Sequence, residues 1–288
     1  MKLTNRMGLP DAIVSAVQND GYTKEGADFS VTGLLSPPRK AVLEAKHGDE
    51  LTEDASDRIW SLMGQSIHTI LERASGSAGI AERRLSAVRQ GVTVSGGMDA
   101  YYPASGLLQD YKTTSVYKLL GDGVPREWEE QLNLYALLLR QNGDGIETLQ
   151  VVAILRDWSK MEARRNPDYP QCQVATVPIP LWPAEKAERF LNDRITLHLQ
   201  ARVTLPLCTS EERWERPTKY AVMKKGGKRA LKLHESEASA KDHVSNASDL
   251  FVEKRPGESI RCSAYCSVSS VCSQYQETLN HDEKENES

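Results

Sequence analysis

The chain predicts an α/β fold, a central mixed sheet flanked by helices, followed by a smaller C-terminal cysteine module. Three observations carry this expectation. Between residues 54 and 201, segments of helical periodicity alternate with short strand-like runs in the order helix, strands, helix, strands, helix, the signature of a layered α/β domain. After Leu205-Pro206-Leu207-Cys208 the character changes, and a basic hairpin and a group of cysteines replace the alternation. The length of 288 residues, with 39% hydrophobic and 26% charged residues, suits one large domain with an appended module.

Taken in order, residues 1–29 are polar and weakly patterned and read as an N-terminal docking arm. The run Ser30 to Leu35 leads to Ser36-Pro37-Pro38, a turn that opens a short helix through Leu43. Over residues 54–74, Ile59, Trp60, Met63, Ile67, Ile70 and Leu71 recur at helical spacing, with Asp54 placed to cap and His68 riding on the helix. Val92-Thr93-Val94, the segment around Asp99 to Tyr102, and residues 106–112 are strand-like, and the turn over 103–106 makes a hairpin that carries two acids. Residues 126–140 form a helix with Trp128, Leu132, Tyr135 and Leu139 on its apolar face, ended by Asn142-Gly143. Residues 149–155 and 173–179 read as strands, and Pro183 opens a helix through residue 201. The core is therefore expected over residues 30–204. Trp60, Trp128 and Trp182 sit on apolar helix faces and are expected inside it.

Residues 205–276 make the appended module. Tyr220 to Met223 and Ala230 to Leu233 flank a basic turn, a hairpin signal, and a helix is expected over residues 236–251. The acidic, polar residues 277–288 are expected to be disordered.

The chemistry lies in the acids. Two carboxylates held close together resist joint ionisation unless a cation sits between them, so Asp99 and Asp110 on neighbouring strands imply a metal where they converge. Hard oxygen ligands select Mg2+ or Mn2+. Residues 110 and 112 are two apart on a strand, which turns Lys112 to the face of Asp110. Tyr111 faces away, but its backbone carbonyl can reach the same ion. Lys112 would orient or help deprotonate an attacking water, or neutralise charge in the transition state of phosphodiester hydrolysis. Gln131 and Tyr135, four apart, share a helical face and can meet one substrate. Asp-x-Lys alone is a short pattern that arises by chance; its order behind Gly96-Gly97-Met98-Asp99 and ahead of Gln131 and Tyr135 raises its weight.

This series, Gly97-x-Asp99, Asp110-Tyr111-Lys112 and Gln131-x-x-x-Tyr135, preceded by His68 in Gly64-Gln65-Ser66-Ile67-His68, resembles the PD-(D/E)XK nuclease superfamily. Within it, the RecB-type branch is the nearest likeness, with its phage recombination exonucleases and its CRISPR-associated nucleases that carry an iron-sulfur cluster. The resemblance spans residues 30–200 and implies a restriction-endonuclease-like core. It implies a divalent-metal-dependent deoxyribonuclease, an exonuclease of recombination, repair or phage DNA processing. A structure- or end-trimming endonuclease and a non-catalytic DNA-binding module with a degenerate nuclease core are the alternatives. By position, Asp99, Asp110 and Lys112 would be catalytic, with His68 a further metal ligand and Gln131 and Tyr135 holding the DNA strand. Glu82 lies where many members carry an acid, a loose match beside Arg83 and Arg84. DNA is the implied partner, with a single-strand annealing or recombination protein as a second, in a bacterial or phage-infected cytoplasm.

Five cysteines, an odd number, in a chain that opens on no apolar signal-like run argue against a disulfide framework. Cys262, Cys266 and Cys272 are crowded together, and Cys208 can supply a fourth thiolate. Four thiolates suit Zn2+ or an iron-sulfur cluster, and the resemblance favours [4Fe-4S]. The usual pattern there places one cysteine ahead of the core and uses an x2 spacing after it, and this chain departs on both counts. Cys208 is preferred to Cys172 because it opens the appended region. Lys224, Lys225, Lys228 and Arg229, with Lys232, make a basic tip suited to sequence-independent phosphate contacts. The net charge of -4 exerts no general pull on nucleic acid. No stretch is apolar enough to cross a bilayer, so no membrane association and a cytoplasmic location are expected.

Overall fold

The structure is a computed structural model that describes residues 1–19, 26–74, 79–121, 123–245 and 247–286, with side chains to residue 279. It divides into two compact units, residues 1–41 with 52–204, and residues 42–51 with 205–288.

The first unit begins with β1 (Lys2–Thr4), α1 (Asp11–Gln18), β2 (Phe29–Ser30), α2 (Val31–Leu35) and the start of α3 (Pro38–His47). It continues with β3 (Thr52–Asp54), α4 (Ile59–Ala74), β4 (Ile80–Arg89), β5 (Val92–Tyr102) and β6 (Leu107–Thr114). It ends with α5 (Arg126–Gln141), β7 (Thr148–Leu155), α6 (Lys160–Arg165), β8 (Val174–Ile179) and α7 (Ala184–Ala201). Six strands form one sheet in the order β2-β5-β6-β7-β8, with β4 also paired to β5. The β6–β7 and β2–β5 pairs are parallel and the others antiparallel, so the sheet is mixed, and helices flank it.

Helix α5 explains where the core sits. Leu132, Leu134, Leu137, Leu138 and Leu139 are all essentially inaccessible, so the helix is apolar around most of its circumference and must lie inside the unit. Its one buried amide is fully used. Asn133 donates to Glu129 O and Pro180 O and accepts the Trp182 N–H, which is what makes an interior asparagine tolerable.

Several expectations change. Where the sequence suggests a docking arm over residues 1–29, residues 2–4 pair in parallel with 52–54, and the described part of that segment belongs to the first unit. Asp54 is the joint. Its carboxylate accepts the Arg6 and Ser56 N–H groups and the Thr4 and Ser56 hydroxyls, so it caps the 3-10 turn that leads into α4. These hydrogen bonds hold its carboxyl well below the usual range. The ten-residue β4 escapes the sequence pattern because charged side chains interrupt it. It reaches β5 through Gln90 and Gly91, both at positive φ (50° and 76°), a tight hairpin turn. Trp128 and Trp182 are buried, but Trp60 is 56% exposed. Its ring lies under the Arg156 guanidinium instead of in the core.

The second unit holds β9 (Glu215–Arg216), β10 (Lys219–Lys224), β11 (Ala230–His234), α8 (Glu237–Val244), β12 (Leu250–Arg255), β13 (Glu258–Ser259), α9 (Ile260–Ala264) and α10 (Ser273–Asn286). The expected β10–β11 hairpin forms, with a bulge between Val222 and Met223. The helix expected over 236–251 ends at Val244, and Leu250-Phe251-Val252 instead starts a strand that pairs with β10 along six residues. Aromatic and β-branched residues there favour the sheet. The backbone of α10 is helical where disorder is expected from residue 277. Around the cysteines the core is small, Leu43, Leu51, Val268 and Cys272 with Cys266, Val271 and Tyr275 against it; Ala221, Val222, Met223 and Ala240 are buried in the same unit.

Candidate metal centre

The centre forms where two strands part. β5 and β6 pair only from Ala100↔Gln109 to Tyr102↔Leu107, and beyond Ala100 the ladder stops. Asp99 takes over the freed donor: its Oδ2 accepts the Tyr111 N–H at 2.6 Å. This bond fixes a carboxylate, 8% exposed, in the fork between the strands. On the other side of β5, the β4 ladder runs through Ala81↔Ala100 and Arg83↔Met98. Between them Glu82 adopts φ +50°, a left-handed conformation that costs an L-residue energy and that clusters at functional sites.

Helix α4 adds the third group. His68 Nε2 lies 2.9 Å from the Tyr111 carbonyl, and a carbonyl only accepts, so Nε2 carries a proton. Nδ1 then faces Asp99 Oδ1 at 3.4 Å and Glu82 Oε1 at 3.9 Å. Ligand atoms of His68, Glu82 and Asp99 all lie within 4.8 Å of one another. The Asp99 contact raises the His68 pKa against the opposing effect of burial. Burial first, and then the Asp99 charge, raise that of Glu82.

Asp110 and Lys112 stand beside this trio on β6. Asp110 is 2% exposed, and its Oδ2 lies 2.7 Å from Lys112 Nζ. That approach is a close, buried ion pair. Burial pushes the Asp110 carboxyl up to about 6, partly offset by Lys112 and reinforced by Asp99. Three carboxylates and an imidazole gathered in this way fit a divalent cation. The mixed oxygen and imidazole set suits Mn2+ at least as well as Mg2+.

The Tyr111 carbonyl faces His68, where it can fix the tautomer and aim of the imidazole. Tyr135 is 4% exposed, so it does not meet a strand from solvent. Its hydroxyl accepts Gln131 Nε2 at 2.9 Å. Its ring presses on β5, where a Cβ at Gly96 would stand 2.5 Å from Tyr135 Cε1. Gly96 is therefore a close-approach glycine, while the position of a Cβ on Gly97 is open. Glu82, only a loose match in sequence, joins the trio.

Cys208, Cys262, Cys266 and Cys272 all belong to the second unit and act electrostatically on one another, whereas Cys172 lies exposed in the first. Burial, then Glu212 and the other three thiols, push Cys208 up to about 12. Burial, then Cys266 and Cys272, raise Cys262. Such mutual repulsion of thiolates is what a bound cation reverses. The Cys208 backbone is clamped by Gln274, whose Oε1 accepts its N–H at 2.8 Å and whose Nε2 donates to its carbonyl at 2.9 Å. No sequence pattern points to Gln274. Among the described residues only His68, Glu82 and Asp99 gather three ligand atoms within 4.8 Å. At the basic tip, Lys224 pairs with Asp249 at 3.6 Å and Lys225 donates to Ser248 O at 2.8 Å. Lys228 and Arg229 are exposed.

No family model and no curated protein matches the chain. One solved structure, described as the crystal structure of SSO0001, aligns over 64% of this chain and 84% of its own length, at 18% identity and a TM-score of 0.45. Among the described residues, no helix is long and apolar enough to cross a membrane.

Proposed function

We propose that the first unit is a divalent-metal-dependent deoxyribonuclease with a restriction-endonuclease-like core, and that it works as an exonuclease in recombination, repair or phage DNA processing. The observation that carries the reading is the meeting of His68, Glu82 and Asp99 at the fork of β5 and β6, with Asp110 and Lys112 next along the strand. When bound, a divalent ion polarises a phosphoryl oxygen and lowers the pKa of an attacking water. Asp99, Asp110, Glu82 and His68 Nδ1 would hold it. The chain supplies the rest. The Tyr111 carbonyl aims His68, the Tyr111 N–H aims Asp99, and the Lys112 ammonium stands ready to neutralise charge as it develops on the phosphoryl group. Gln131, held by Tyr135, offers an amide for a phosphate contact, and Lys228 and Arg229 offer unspecific charge.

For the thiols, a [4Fe-4S] cluster is the proposed occupant, since four cysteine thiolates suit one, and Zn2+ is the alternative. Incubation with Mg2+ or Mn2+ and linear double- or single-stranded DNA should release nucleotides, and closed-circular DNA should resist. Nicking of closed circles would favour the endonuclease. Activity unchanged in Asp110→Asn or Lys112→Ala would refute the site. Protein purified without oxygen should be brown and contain iron; stoichiometric zinc would reverse the cluster assignment.

A further inference from the structure

Helix α4 carries an exposed aromatic on the face that also carries His68. Trp60, 56% exposed, has the Arg156 guanidinium 4.4 Å above its ring. Among the described residues, no carboxylate pairs with Arg156. The N–H of Arg156 donates to Thr114 O at 2.9 Å, so this stacked pair stands at the end of β6, two residues past Lys112. At the other end of the same helix face, His68 meets the Tyr111 carbonyl of β6. Between them lies Gly64, four positions from each, and nothing comes within 4 Å of the place where its Cβ would stand. Residues spaced by four share a helical face, so Trp60, Gly64 and His68 define an open track about 12 Å long, or about three to four stacked nucleotides at ~3.4 Å each. Tyr117, 80% exposed, stands on the turn after β6.

A glycine inside an exposed helix is unfavourable compared with alanine. Here it leaves unfilled the face that joins a cationic aromatic platform to the metal-ligand trio. Aromatic faces backed by arginine stack bases without regard to sequence, and the guanidinium supplies the charge that a phosphate chain needs.

We propose that α4 binds an unpaired nucleic-acid strand, with a base stacked on the Trp60 ring beside Arg156 and the chain passing over Gly64 toward His68, so that the substrate is a single strand or a single-stranded tail. This rests on the nuclease reading of the His68 site. The test is fluorescence anisotropy of the full chain with labelled oligo-dT, oligo-rU and a blunt duplex, in EDTA so that nothing is cleaved. Trp60→Ala should weaken single-strand binding by about 5- to 150-fold, the usual worth of one base-aromatic stack, with blunt-duplex binding little changed. Trp60→Phe should restore most of it. Gly64→Gln should raise the melting temperature while weakening single-strand binding, because it fills the track without a clash. The dT and rU arms tell whether the strand is DNA or RNA.

If the folded wild type binds no single strand, or Trp60→Ala and Gly64→Gln both bind as tightly as it does, the proposal fails. Failure of the nuclease reading looks different: Trp60-dependent binding with no hydrolysis in Mg2+ or Mn2+. Hydrolysis with Trp60→Ala unimpaired sinks the track and leaves the nuclease standing.

Discussion

The two groups of candidate ligands in this chain are built in opposite ways. Around His68, the ligands hang from a framework that needs none of them: α5 fills the interior with leucine, and backbone hydrogen bonds at the strand fork aim the side chains. Around Cys272, the ligands are the framework, since Cys272 and Cys266 belong to a core with only Leu43, Leu51 and Val268 as further buried members or Val271 and Tyr275 beside them. A large core can hold repelling carboxylates in place without a cation. A small one gains much of its stability from what it binds.

The largest effects should separate the two on activity. Asp110→Asn or Lys112→Ala is expected to lower DNA hydrolysis in Mn2+ by about 10²- to 10³-fold, in the range seen when a transition-state charge loses its partner. Asp110→Asn should also change the pH dependence of stability in EDTA. The carboxyl is raised to about 6 in the folded chain, above its unfolded value, so the folded state holds the extra proton between about pH 4 and 6 and stability falls as pH rises through that window. The asparagine variant should lose that fall, read as melting temperature against pH. A variant equally active and equally pH-dependent would place Asp110 outside the centre.

Cys272→Ser should act on the other side of the comparison. Limited proteolysis is expected to open residues 205–286 while residues 52–204 stay protected, and EDTA with the parent chain should open neither segment. Next in size is Gly96→Ala, whose methyl group must displace the Tyr135 ring. Overpacking of this kind costs about 1–3 kcal/mol, measurable by urea denaturation. A neutral outcome would mean that α5 is free to shift from β5.

How much of this was readable in the sequence follows the same division. Asp99, Asp110, Lys112 and His68 are readable because chemistry demands those types in that order, and the sheet and α5 are readable from periodicity. Glu82 is legible only as a loose match, because its strand is interrupted by charge and a left-handed residue has no side-chain signature. Trp60 misleads because helical spacing marks a face without saying whether core or solvent lies opposite. The sequence 236–251 reads as one helix because the stop after Val244 depends on β12 finding β10, a contact between distant residues that no local pattern contains.

The smallest expected effect bears most directly on the comparison, because it asks whether the His68 centre is held under strain. Glu82 sits at φ +50°, where glycine has no Cβ to clash and an L-residue loses about 1–2 kcal/mol. Glu82→Gly should recover about 1 kcal/mol of that, once the added chain freedom of glycine in the unfolded state is subtracted. Removing a partly buried carboxylate that Asp99 repels adds to the gain. The same change removes a carboxylate from the trio, so Mn2+ binding by calorimetry should weaken. Glu82→Gln, which keeps the side chain and the backbone penalty but loses the charge, should weaken binding without the backbone gain. Stability rising as metal binding falls would mean that the first unit sacrifices backbone comfort to aim a ligand. A Glu82→Gly variant that binds Mn2+ as the parent does would reduce Glu82 to a bystander and leave His68 and Asp99 with Asp110 as the centre.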